Sequence, residues 1–465
     1  MKHKIKNIHF IGVGGVGMSG IAEVLFHLGY NISGSDAQAS SNTERLKKIG
    51  INIIIGHNKQ NIGNANVIVS STAISDNNPE IIEAKEKGVT IVPRAMMLAE
   101  LMRFKYGIAI AGTHGKTTTT SLCAEALSQC GLDPTFLIGG KLAVTDCNAQ
   151  LGAGDFLIAE ADESDASFLY LNPLISVVTN IDLDHMATYN HDEAKLKQTF
   201  IEFIHRLPFY GVAIMCNEDA RVREIIPALK RQVITYGLSA ESDIYAKDIK
   251  SNNGKMEFIV CVQESRIEYP ISLNLPGIHN VLNALAVIAV GLECEGKLED
   301  IAISLSSFHG VGRRCQRYPD LHLCGKTIGI IDDYGHHPAE LKATISALRS
   351  AYPNKKLIIV FQPHRYTRTR DLFTDFVNVL SGVENLVILD TYSAGETPIA
   401  MADGITLVKS LKQQGAMNTL FARDLDEAKS IIYNIADDGD LVITMGAGSI
   451  GKLPQILIDS AMCLE

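Results

Sequence analysis

A short glycine-rich segment, Gly112 to Thr118, constrains the fold of this chain more than any other part of the sequence. It follows an apolar run at Gly107 to Ile110, which predicts a buried strand, and it precedes apolar residues at helical spacing from Thr119 to Leu127. A strand, a glycine turn and a helix in this order direct backbone N–H groups and the positive helix end at phosphate. We therefore predict that this segment binds a nucleoside triphosphate.

Two side chains of the segment have specific predicted tasks. Lys116 reaches the terminal phosphates, and the Thr117 hydroxyl ligates Mg²⁺. The full consensus has a further glycine where Ile110 stands, so the alternative is a ligand-free turn that merely opens a helix. The predicted cofactor-binding residues of the loop are Gly112, Thr113, His114, Gly115, Lys116, Thr117 and Thr118.

A second glycine turn lies near the start of the chain. Gly12, Gly14 and Gly17 follow a predicted strand at Asn7 to Ile11, and an acid, Asp36, comes about twenty residues later. Such a turn places a pyrophosphate on the helix N-terminus and the acid on a ribose hydroxyl. NAD and a nucleotide sugar fit this turn equally well, and a tight turn without ligand is a third reading.

The order of the predicted elements defines the fold class. Strands and helices alternate along all 465 residues, which is typical of α/β layers with parallel sheets, and the length suits about three domains. We predict an N-terminal Rossmann-like domain (1–104), a central P-loop ATPase-like α/β domain with antiparallel strands (105–311) and a C-terminal Rossmann-like domain (312–465). The antiparallel strands are expected at 232–275, where polar and apolar residues alternate.

Composition excludes several classes of protein. The net charge of −10 argues against nucleic acid as the main partner. No apolar run reaches the ~18 residues of a membrane span, and glycines interrupt the apolar stretch after the basic N-terminus, which argues against a secretion signal. Nine cysteines without a Cys-x-x-Cys pair predict reduced thiols and a cytoplasmic protein.

Carboxylates follow two further apolar runs after the phosphate loop. One run ends in Glu160, Asp162, Glu163 and Asp165, and the other ends in the segment Asn180 to His185. The carboxyl ends of parallel strands meet in the crevice where ligands bind, and carboxylate oxygens suit Mg²⁺. Solvated loop charges are the alternative.

Three later segments carry polar groups at the ends of predicted elements. His279 to Asn283 opens a helix with amides that can read an adenine edge, although polar first-turn residues need no ligand. Three arginines, Arg365, Arg368 and Arg370, follow a strand and suit carboxylate or phosphate, or else form a solvated surface. His336-His337 lacks a third soft ligand at a suitable spacing, so a transition-metal site is not expected.

Together these segments resemble the Mur ligases, ATP-dependent amide ligases that build the peptide of bacterial cell-wall precursors. The resemblance covers essentially the whole chain, and several ordered motifs are more specific than any one alone. The motifs are Gly112 to Thr117, Asn180 to His185, His279-Asn280 with Asn283, Arg313-Arg314, and Asp333.

The resemblance implies roles for the matching residues. The substrate-binding set for the UDP sugar is Gly12, Gly14, Gly15, Gly17, Asp36 and Ser71. The metal ligands are Thr117, Glu160 and His185. The residues that complete the ATP site are Asn280, Asn283, Arg314 and Asp333. The residues that position the amino acid and the developing phosphate charge are Tyr334, His336, Arg365 and Arg368. The catalytic set is Lys116, His185, Arg314, His336 and Arg368.

The glycine-rich start and four other segments resemble the branch of the family that adds the first amino acid. These segments are Ser71 to Ile74, Glu160 to Asp165, Asp332 to Pro338 and Gln362 to Arg370. The resemblance implies UDP-N-acetylmuramate and L-alanine as substrates, ATP and Mg²⁺ as cofactors, and an acyl phosphate intermediate. The oligomeric state stays open, a homodimer included.

Three rival functions explain part of the sequence. A recycling ligase that attaches a whole tripeptide to the same nucleotide sugar shares the central motifs. A nicotinamide-dependent dehydrogenase accounts for the first glycine turn alone and leaves the phosphate loop, the acids and the arginines unexplained. A regulator without catalysis would bind both nucleotides and release no phosphate.

Overall fold

The computed structural model describes residues 5–140, 142, 147–323 and 325–462. Three β-sheets follow one another along the chain, with helices between their strands. The predicted fold class, α/β with three domains, is confirmed. Most of the first two sheets belongs to one compact unit, and the chain from Gly310 onward belongs to another, together with Lys250–Glu257 and Asn274–His279.

The N-terminal sheet has five parallel strands in the order β3-β2-β1-β4-β5. Its strands are β1 (Asn7–Ile11), β2 (Asn31–Asp36), β3 (Asn52–Ile55), β4 (Val67–Ser70) and β5 (Thr90–Pro93). The connecting helices are α1 (Val16–His27), α2 (Ser41–Lys48), α3 (Pro79–Glu86) and α4 (Arg94–Met102). The strand order reverses between β1 and β4, and such switch points form ligand crevices at the carboxyl ends of strands.

The central sheet has ten strands in the order β15-β14-β13-β12-β11-β10-β6-β9-β7-β8. Its strands are β6 (Tyr106–Ala111), β7 (Thr135–Leu137), β8 (Ala149–Gln150), β9 (Phe156–Glu160), β10 (Ile175–Val178), β11 (Val212–Cys216), β12 (Gln232–Gly237), β13 (Ile244–Asn252), β14 (Lys255–Val262) and β15 (Ile267–Leu273). Its helices are α5 (Lys116–Gln129), α6 (Glu193–Ile204), α7 (Ala220–Ile225), α8 (Ile278–Glu293) and α9 (Leu298–Ser307).

The expectation of antiparallel strands at 232–275 is corrected in part. The first strand of that segment, β12, pairs in parallel with both β11 and β13. The next strands are antiparallel neighbours, because the two residues between Asn252 and Lys255 are too few for a parallel crossover. The alternation of polar and apolar residues correctly predicted the half-exposed hairpins of β13, β14 and β15. It wrongly predicted antiparallel pairing for β12, whose carboxyl end is buried.

The C-terminal sheet has six strands in the order β16-β17-β21-β18-β19-β20, parallel except for the pair β16–β17. Its strands are β16 (Gln316–Leu323), β17 (Lys326–Asp333), β18 (Leu357–Phe361), β19 (Asn385–Leu389), β20 (Thr419–Ala422) and β21 (Leu441–Met445). Its helices are α10 (Pro338–Ala351), α11 (Tyr366–Asp371), α12 (Phe373–Leu380), α13 (Gly404–Gln413), α14 (Leu425–Ile435) and α15 (Leu453–Met462).

Burial on both faces explains the continuous apolar runs of the C-terminal strands. Along β18, Ile359 and Phe361 pack into one hydrophobic cluster, whereas Ile358 and Val360 pack into another. A parallel sheet covered by helices on both faces requires such runs.

Two expectations from the sequence concern membrane-spanning segments and the cysteine thiols. Among the described residues, no helix is long and apolar enough to cross a membrane. Cys123, Cys216 and Cys261, which lie in apolar sequence contexts, are buried free thiols.

Candidate active site

The predicted phosphate loop connects β6 to α5. Gly112 has φ +125°, and a β-carbon there would lie 2.1 Å from Thr179 Oγ1. Gly115 has φ +85°, and its β-carbon would lie 2.9 Å from Asn283 Oδ1. Both positions therefore require glycine, because a side chain would be strained and would overlap a neighbour.

Residues that follow β10 hold the loop from the other side. The backbone N–H of His114 donates to Asn180 Oδ1 at 2.8 Å, and Asn180 Nδ2 donates back to the His114 carbonyl at 2.9 Å. The N–H of Asp182 donates to Thr113 Oγ1 at 2.8 Å. The segment Asn180 to His185 thus holds the phosphate loop through the uncharged amide of Asn180 and the backbone of Asp182.

Lys116 brings a positive charge to the phosphate loop. Its ammonium donates to the Gly112 carbonyl at 2.5 Å, to the Thr113 carbonyl at 3.1 Å and to Glu163 Oε2 at 2.8 Å. Burial by itself lowers the pKa of Lys116, but the neighbouring Glu163 carboxylate outweighs it and the pKa is raised. The lysine is therefore a charged group at neutral pH.

The predicted adenine-side residues lie next to the loop. The Asn283 side chain lies beside Gly115, where a β-carbon would be 2.9 Å from Asn283 Oδ1. Asn283 Nδ2 donates to Asn280 Oδ1 at 3.1 Å. Both asparagines are buried near the start of α8, where an amide can offer a donor and an acceptor to one purine edge.

The three predicted metal ligands occupy different settings. Thr117 is buried in the first turn of α5. Glu160 ends β9 and accepts the Gly139 N–H at 2.6 Å. His185 has φ +54°, and its N–H donates to Asp184 Oδ1 at 2.8 Å. Thr117 and Glu160 offer the oxygen atoms that Mg²⁺ prefers, whereas the His185 imidazole is a softer ligand.

A cavity of about 330 Å³ brings the first glycine turn and the phosphate loop together. Gly17 of the first glycine turn lines this cavity, and so do Lys116, Glu160 and Asp162 from the part of the chain that forms the central sheet. Burial alone raises the pKa of Asp162, but the Ser164 hydrogen bonds and the charge of Lys116 hold that pKa below its usual value. Anionic and cationic groups therefore line one space beside the loop.

The first glycine turn follows β1. Gly12 has φ +78°, and the N–H groups of Gly12 and Val13 donate to the Ser35 carbonyl at 2.8 and 3.0 Å. The Gly14 N–H donates to Asp36 Oδ2 at 2.8 Å. Gly15 is the N-cap of α1 and provides no side-chain cap, as expected of an anion-binding helix end.

Two neighbours shape this turn from outside. The predicted substrate residue Ser71 accepts the Ile74 N–H at 3.1 Å, and the Ile74 side chain lies 3.0 Å from where a Gly12 β-carbon would stand. Glu80, fully buried, accepts from Ser35 Oγ at 2.6 Å and from Asn61 Nδ2 at 2.7 Å. Glu80 therefore supports the strand end that holds the glycine turn.

In the C-terminal unit, two acids hold the turn that carries Arg314. Asp333 accepts the N–H of Cys315 at 2.9 Å and that of Gly335 at 2.8 Å. Asp332 pairs with Arg313 Nε at 2.8 Å. The Arg314 guanidinium lies 5.0 Å above the centre of the Tyr334 ring, a cation–π contact.

The remaining predicted residues form an aromatic and cationic cluster in the same unit. His336 lies 5.5 Å from Tyr334 and 5.8 Å from His364, between ring centres. Burial, followed by the proximity of His336 and the charge of Arg368, lowers the pKa of His364 to about 4. Burial also lowers the pKa of His336, and Arg368 adds to that effect. Both imidazoles are thus neutral at pH 7, close to Arg368.

The arginines after β18 differ in environment. Arg365 has φ +70°, and its N–H donates to the Tyr392 carbonyl at 2.8 Å. Arg370 is exposed and pairs with the adjacent Asp371 at 2.7 Å. His337 is the N-cap of α10 and accepts the Ala339 N–H at 3.3 Å, a structural role for the second histidine of the pair.

Sequence reasoning missed the roles of three residues. Glu163 was one carboxylate in a run of four, and spacing alone does not tell which one faces Lys116. Asn180 belongs to a recognisable motif, but its hydrogen bonds to His114 of the phosphate loop depend on the fold and not on its position in that motif. Arg94 begins α4, far along the chain from either glycine turn, and carried no signal.

The chain is similar to known proteins along its whole length. Models of three domains match it: the Mur ligase family catalytic domain at residues 7–106, the Mur ligase middle domain at 110–291, and the Mur ligase glutamate ligase domain at 313–448. A UDP-N-acetylmuramate–L-alanine ligase of Laribacter hongkongensis is 55% identical over 464 residues, 99% of each chain. One of Chromobacterium violaceum is 54% identical over 98% of each chain.

Solved structures agree with this similarity. The crystal structure of a UDP-N-acetylmuramate–alanine ligase from Thermotoga maritima has a TM-score of 0.84 at 27% identity and covers 99% of this chain and 100% of its own. A murein peptide ligase from Psychrobacter arcticus has a TM-score of 0.71 at 21% identity, with 98% of each chain covered, and shares the fold. The three domain matches and the full-length relatives lead to one conclusion: the chain belongs to the Mur ligase family.

Proposed function

We propose that this protein joins L-alanine to the carboxylate of UDP-N-acetylmuramate with the hydrolysis of ATP to ADP and phosphate. The product is UDP-N-acetylmuramoyl-L-alanine, a precursor of peptidoglycan. The observation that carries the proposal is the cavity shared by the first glycine turn and Lys116, because the reacting ends of a nucleotide sugar and a triphosphate can then meet in one space. The names of the relatives at 54–55% identity support the choice of alanine.

The first step activates the carboxylate, whose own leaving group would be oxide. A carboxylate oxygen forms a bond to the γ-phosphorus of ATP while the bond from that phosphorus to the β,γ-bridging oxygen breaks and ADP leaves. Lys116 offsets the negative charge on the transferred phosphoryl group, and the loop N–H groups orient the phosphates. Asn280 and Asn283 hold the adenine side, and Arg314 and Asp333 complete the ATP site.

The second step forms the amide. The unprotonated amine of L-alanine attacks the acyl carbon and a tetrahedral intermediate forms. Phosphate then leaves as the carbon–oxygen bond breaks and takes up the proton that the nitrogen loses. Tyr334, His336, Arg365 and Arg368 position alanine and offset the charge of the leaving phosphate. The neutral imidazole of His336 suits this role because it does not repel the arginines beside it.

Mg²⁺ fits the oxygen-rich side of the cavity. Thr117, Glu160 and His185 would hold it, and the cation would neutralise phosphate charge. Glu163 keeps Lys116 in place through the ion pair described above.

We also propose the domain limits 1–104, 105–311 and 312–465, with UDP-sugar, ATP and amino-acid binding assigned in that order. Gly12, Gly14, Gly15, Gly17, Asp36 and Ser71 are the proposed UDP-sugar residues. We place the enzyme in the cytoplasm, where ATP is available, and a homodimer is the oligomeric state to test.

The experiment is phosphate release from ATP and Mg²⁺ with UDP-N-acetylmuramate, with and without L-alanine, and with mass measurement of the product. Alanine-dependent release and a product heavier by one alanine residue support the proposal. Release only with the tripeptide identifies the recycling ligase instead. Absence of release with either acceptor contradicts a ligase function.

A further inference from the structure

Arg94 lies against the first glycine turn. It is the first residue of α4, the helix that leads from the N-terminal sheet to the central one. A β-carbon at Gly17 would stand 3.2 Å from Arg94 Nη1 and 3.3 Å from its Cδ. The third glycine of the turn thus leaves room for an arginine side chain.

The position of this cation is electrostatically unfavourable within its own helix. A positive charge at a helix N-terminus opposes the helix dipole, which favours anions there. The acidic neighbour of Arg94 is Asp162, and its Oδ2 is 3.6 Å from Arg94 Nη2, too long for a hydrogen bond. Among the described residues, the Arg94 guanidinium therefore has an ion pair with Asp162 but no hydrogen-bonded acceptor that explains its position.

Arg94 lines the same cavity as Lys116, Glu160 and Asp162. Its side chain is 24% exposed, so the guanidinium is accessible yet partly shielded from water. Lys116 is already bound to Glu163 and the loop carbonyls, whereas the planar guanidinium offers several donors in a fork that matches a carboxylate. A carboxylate is thus the ligand chemistry this corner of the cavity suits.

We propose that Arg94 binds the carboxylate of the nucleotide sugar, an inference that rests on the function proposed above. The N-terminus of α1 holds the diphosphate, and Arg94 receives the carboxylate on the side of the cavity that Lys116 also lines. The carboxylate and the γ-phosphate of ATP are both negative, and so are Glu160 and Asp162 beside them. A guanidinium between them reduces the repulsion that opposes their approach.

The test compares two ligands that differ in the carboxylate. Isothermal titration measures the Kd of UDP-N-acetylmuramate, of UDP-N-acetylglucosamine, which has the diphosphate without the lactyl carboxylate, and of ATP. We expect Arg94→Ala to weaken UDP-N-acetylmuramate binding about tenfold to a hundredfold, the range for a charged hydrogen-bonded contact. Binding of UDP-N-acetylglucosamine and ATP stays within about twofold, the spread of ordinary surface changes.

Two further variants keep the test decisive. Arg103→Ala removes an exposed arginine just after the other end of α4, where it pairs with Glu100 at 3.0 Å, and should leave all three Kd values unchanged. Arg94→Lys keeps the charge without the fork, so it should bind UDP-N-acetylmuramate with intermediate affinity and remain informative if the alanine variant folds poorly.

The outcomes separate the inference from the proposed function. Equal loss of both UDP sugars, or no loss of either, overturns the carboxylate assignment of Arg94. Alanine-dependent turnover by the unsubstituted enzyme tests the proposed function separately. Its outcome does not depend on what the Arg94 variants show.

Discussion

The two glycine turns of this protein have similar backbones and different partners. Both connect a buried strand to a helix N-terminus, and glycines have positive φ in both: Gly12 in the first, Gly112 and Gly115 in the second. A carboxylate, Asp36, accepts an N–H of the first turn, whereas a neutral amide, Asn180, accepts an N–H of the second. The glycine pattern predicts a phosphate-binding backbone, and the side chains across from it decide which phosphate chemistry follows.

The difference in charge matches the difference between the tasks proposed for the two turns. The first turn depends on buried or half-buried acids, Asp36 and Glu80, and contains no lysine of its own. The second turn ends in Lys116, held by Glu163. A diphosphate that is only held needs oriented N–H groups, whereas a phosphoryl group that is transferred needs a cation for the charge of the transition state.

Of the substitutions that test this comparison, the removal of Lys116 should have the largest effect. Lys116→Ala should lower kcat by about a thousandfold, because it removes a charge that acts in the transition state. Titration should show the Kd of the UDP sugar unchanged. Lys197→Ala, which removes a lysine that pairs with Glu193 on α6, is the matched control and should retain activity. Full activity of Lys116→Ala would exclude the lysine from phosphoryl transfer.

A β-carbon in the second turn should separate the two nucleotide sites. Gly112→Ala adds an atom 2.1 Å from Thr179 Oγ1 at a positive φ, so we expect a loss of about 3 kcal/mol in stability and weaker ATP binding. Gly131→Ala is the control: its φ is +78° with nothing within 4 Å, and about 1 kcal/mol of strain is expected. Urea unfolding measures both, and equal losses would contradict the steric account.

Acid should weaken the support of the first turn. Hydrogen bonds and the proximity of His9 overcome the effect of burial and lower the pKa of Glu80 from 4.5 to about 2. A carboxyl with a lowered folded-state pKa stabilises the fold above pH 4.5, and this contribution is lost as the pH falls toward 2. At neutral pH it amounts to about 3 kcal/mol.

The measurement is urea unfolding of the wild type and of Glu80→Gln between pH 7 and pH 3. The stability advantage of the wild type should shrink as the pH falls through 4.5. A constant difference across this range would mean that the carboxylate charge does not stabilise the turn.

Loss of the carboxylate across from the first turn should have the smallest effect. Asp36→Ala removes the acceptor of the Gly14 N–H, so we expect the KM for the UDP sugar to rise about tenfold while the KM for ATP is unchanged. Asp76→Ala, at an exposed position of the same domain, is the control. An equal rise in both KM values would show that the two turns are not separate sites.

Local patterns predicted most of the fold because strand ends, glycines and apolar runs are local features. The strand at Asn7 to Ile11 has the predicted bounds, and the C-terminal strand predicted at 327–331 extends over Lys326–Asp333. The parallel pairing of β12 was not predictable from alternation, since it depends on which strand lies beside it. The helix α5 begins at Lys116, three residues before its first predicted position, because the glycine turn ends at Gly115, whose φ is +85°.

The candidate site was predictable where its residues belong to one sequence motif. It was not predictable where the fold brings together residues that are distant in the sequence. Lys116 follows from the loop pattern, but its partner Glu163 is 47 residues away and is selected by the packing of the strand end. Arg94 meets Gly17 only because α4 packs beside α1. Such meetings depend on three-dimensional arrangement, which spacing along one sequence does not encode.

The central claim is that the carboxylate held near the first turn attacks the phosphorus held by the second. Synthesis of UDP-N-acetylmuramate with ¹⁸O in its lactyl carboxylate, followed by one round of ligation, tests this directly by mass spectrometry of the released phosphate. The account predicts that each phosphate carries one carboxylate-derived ¹⁸O atom, because that oxygen becomes the bridge of the acyl phosphate. Unlabelled phosphate, formed while the amide product accumulates, would contradict it.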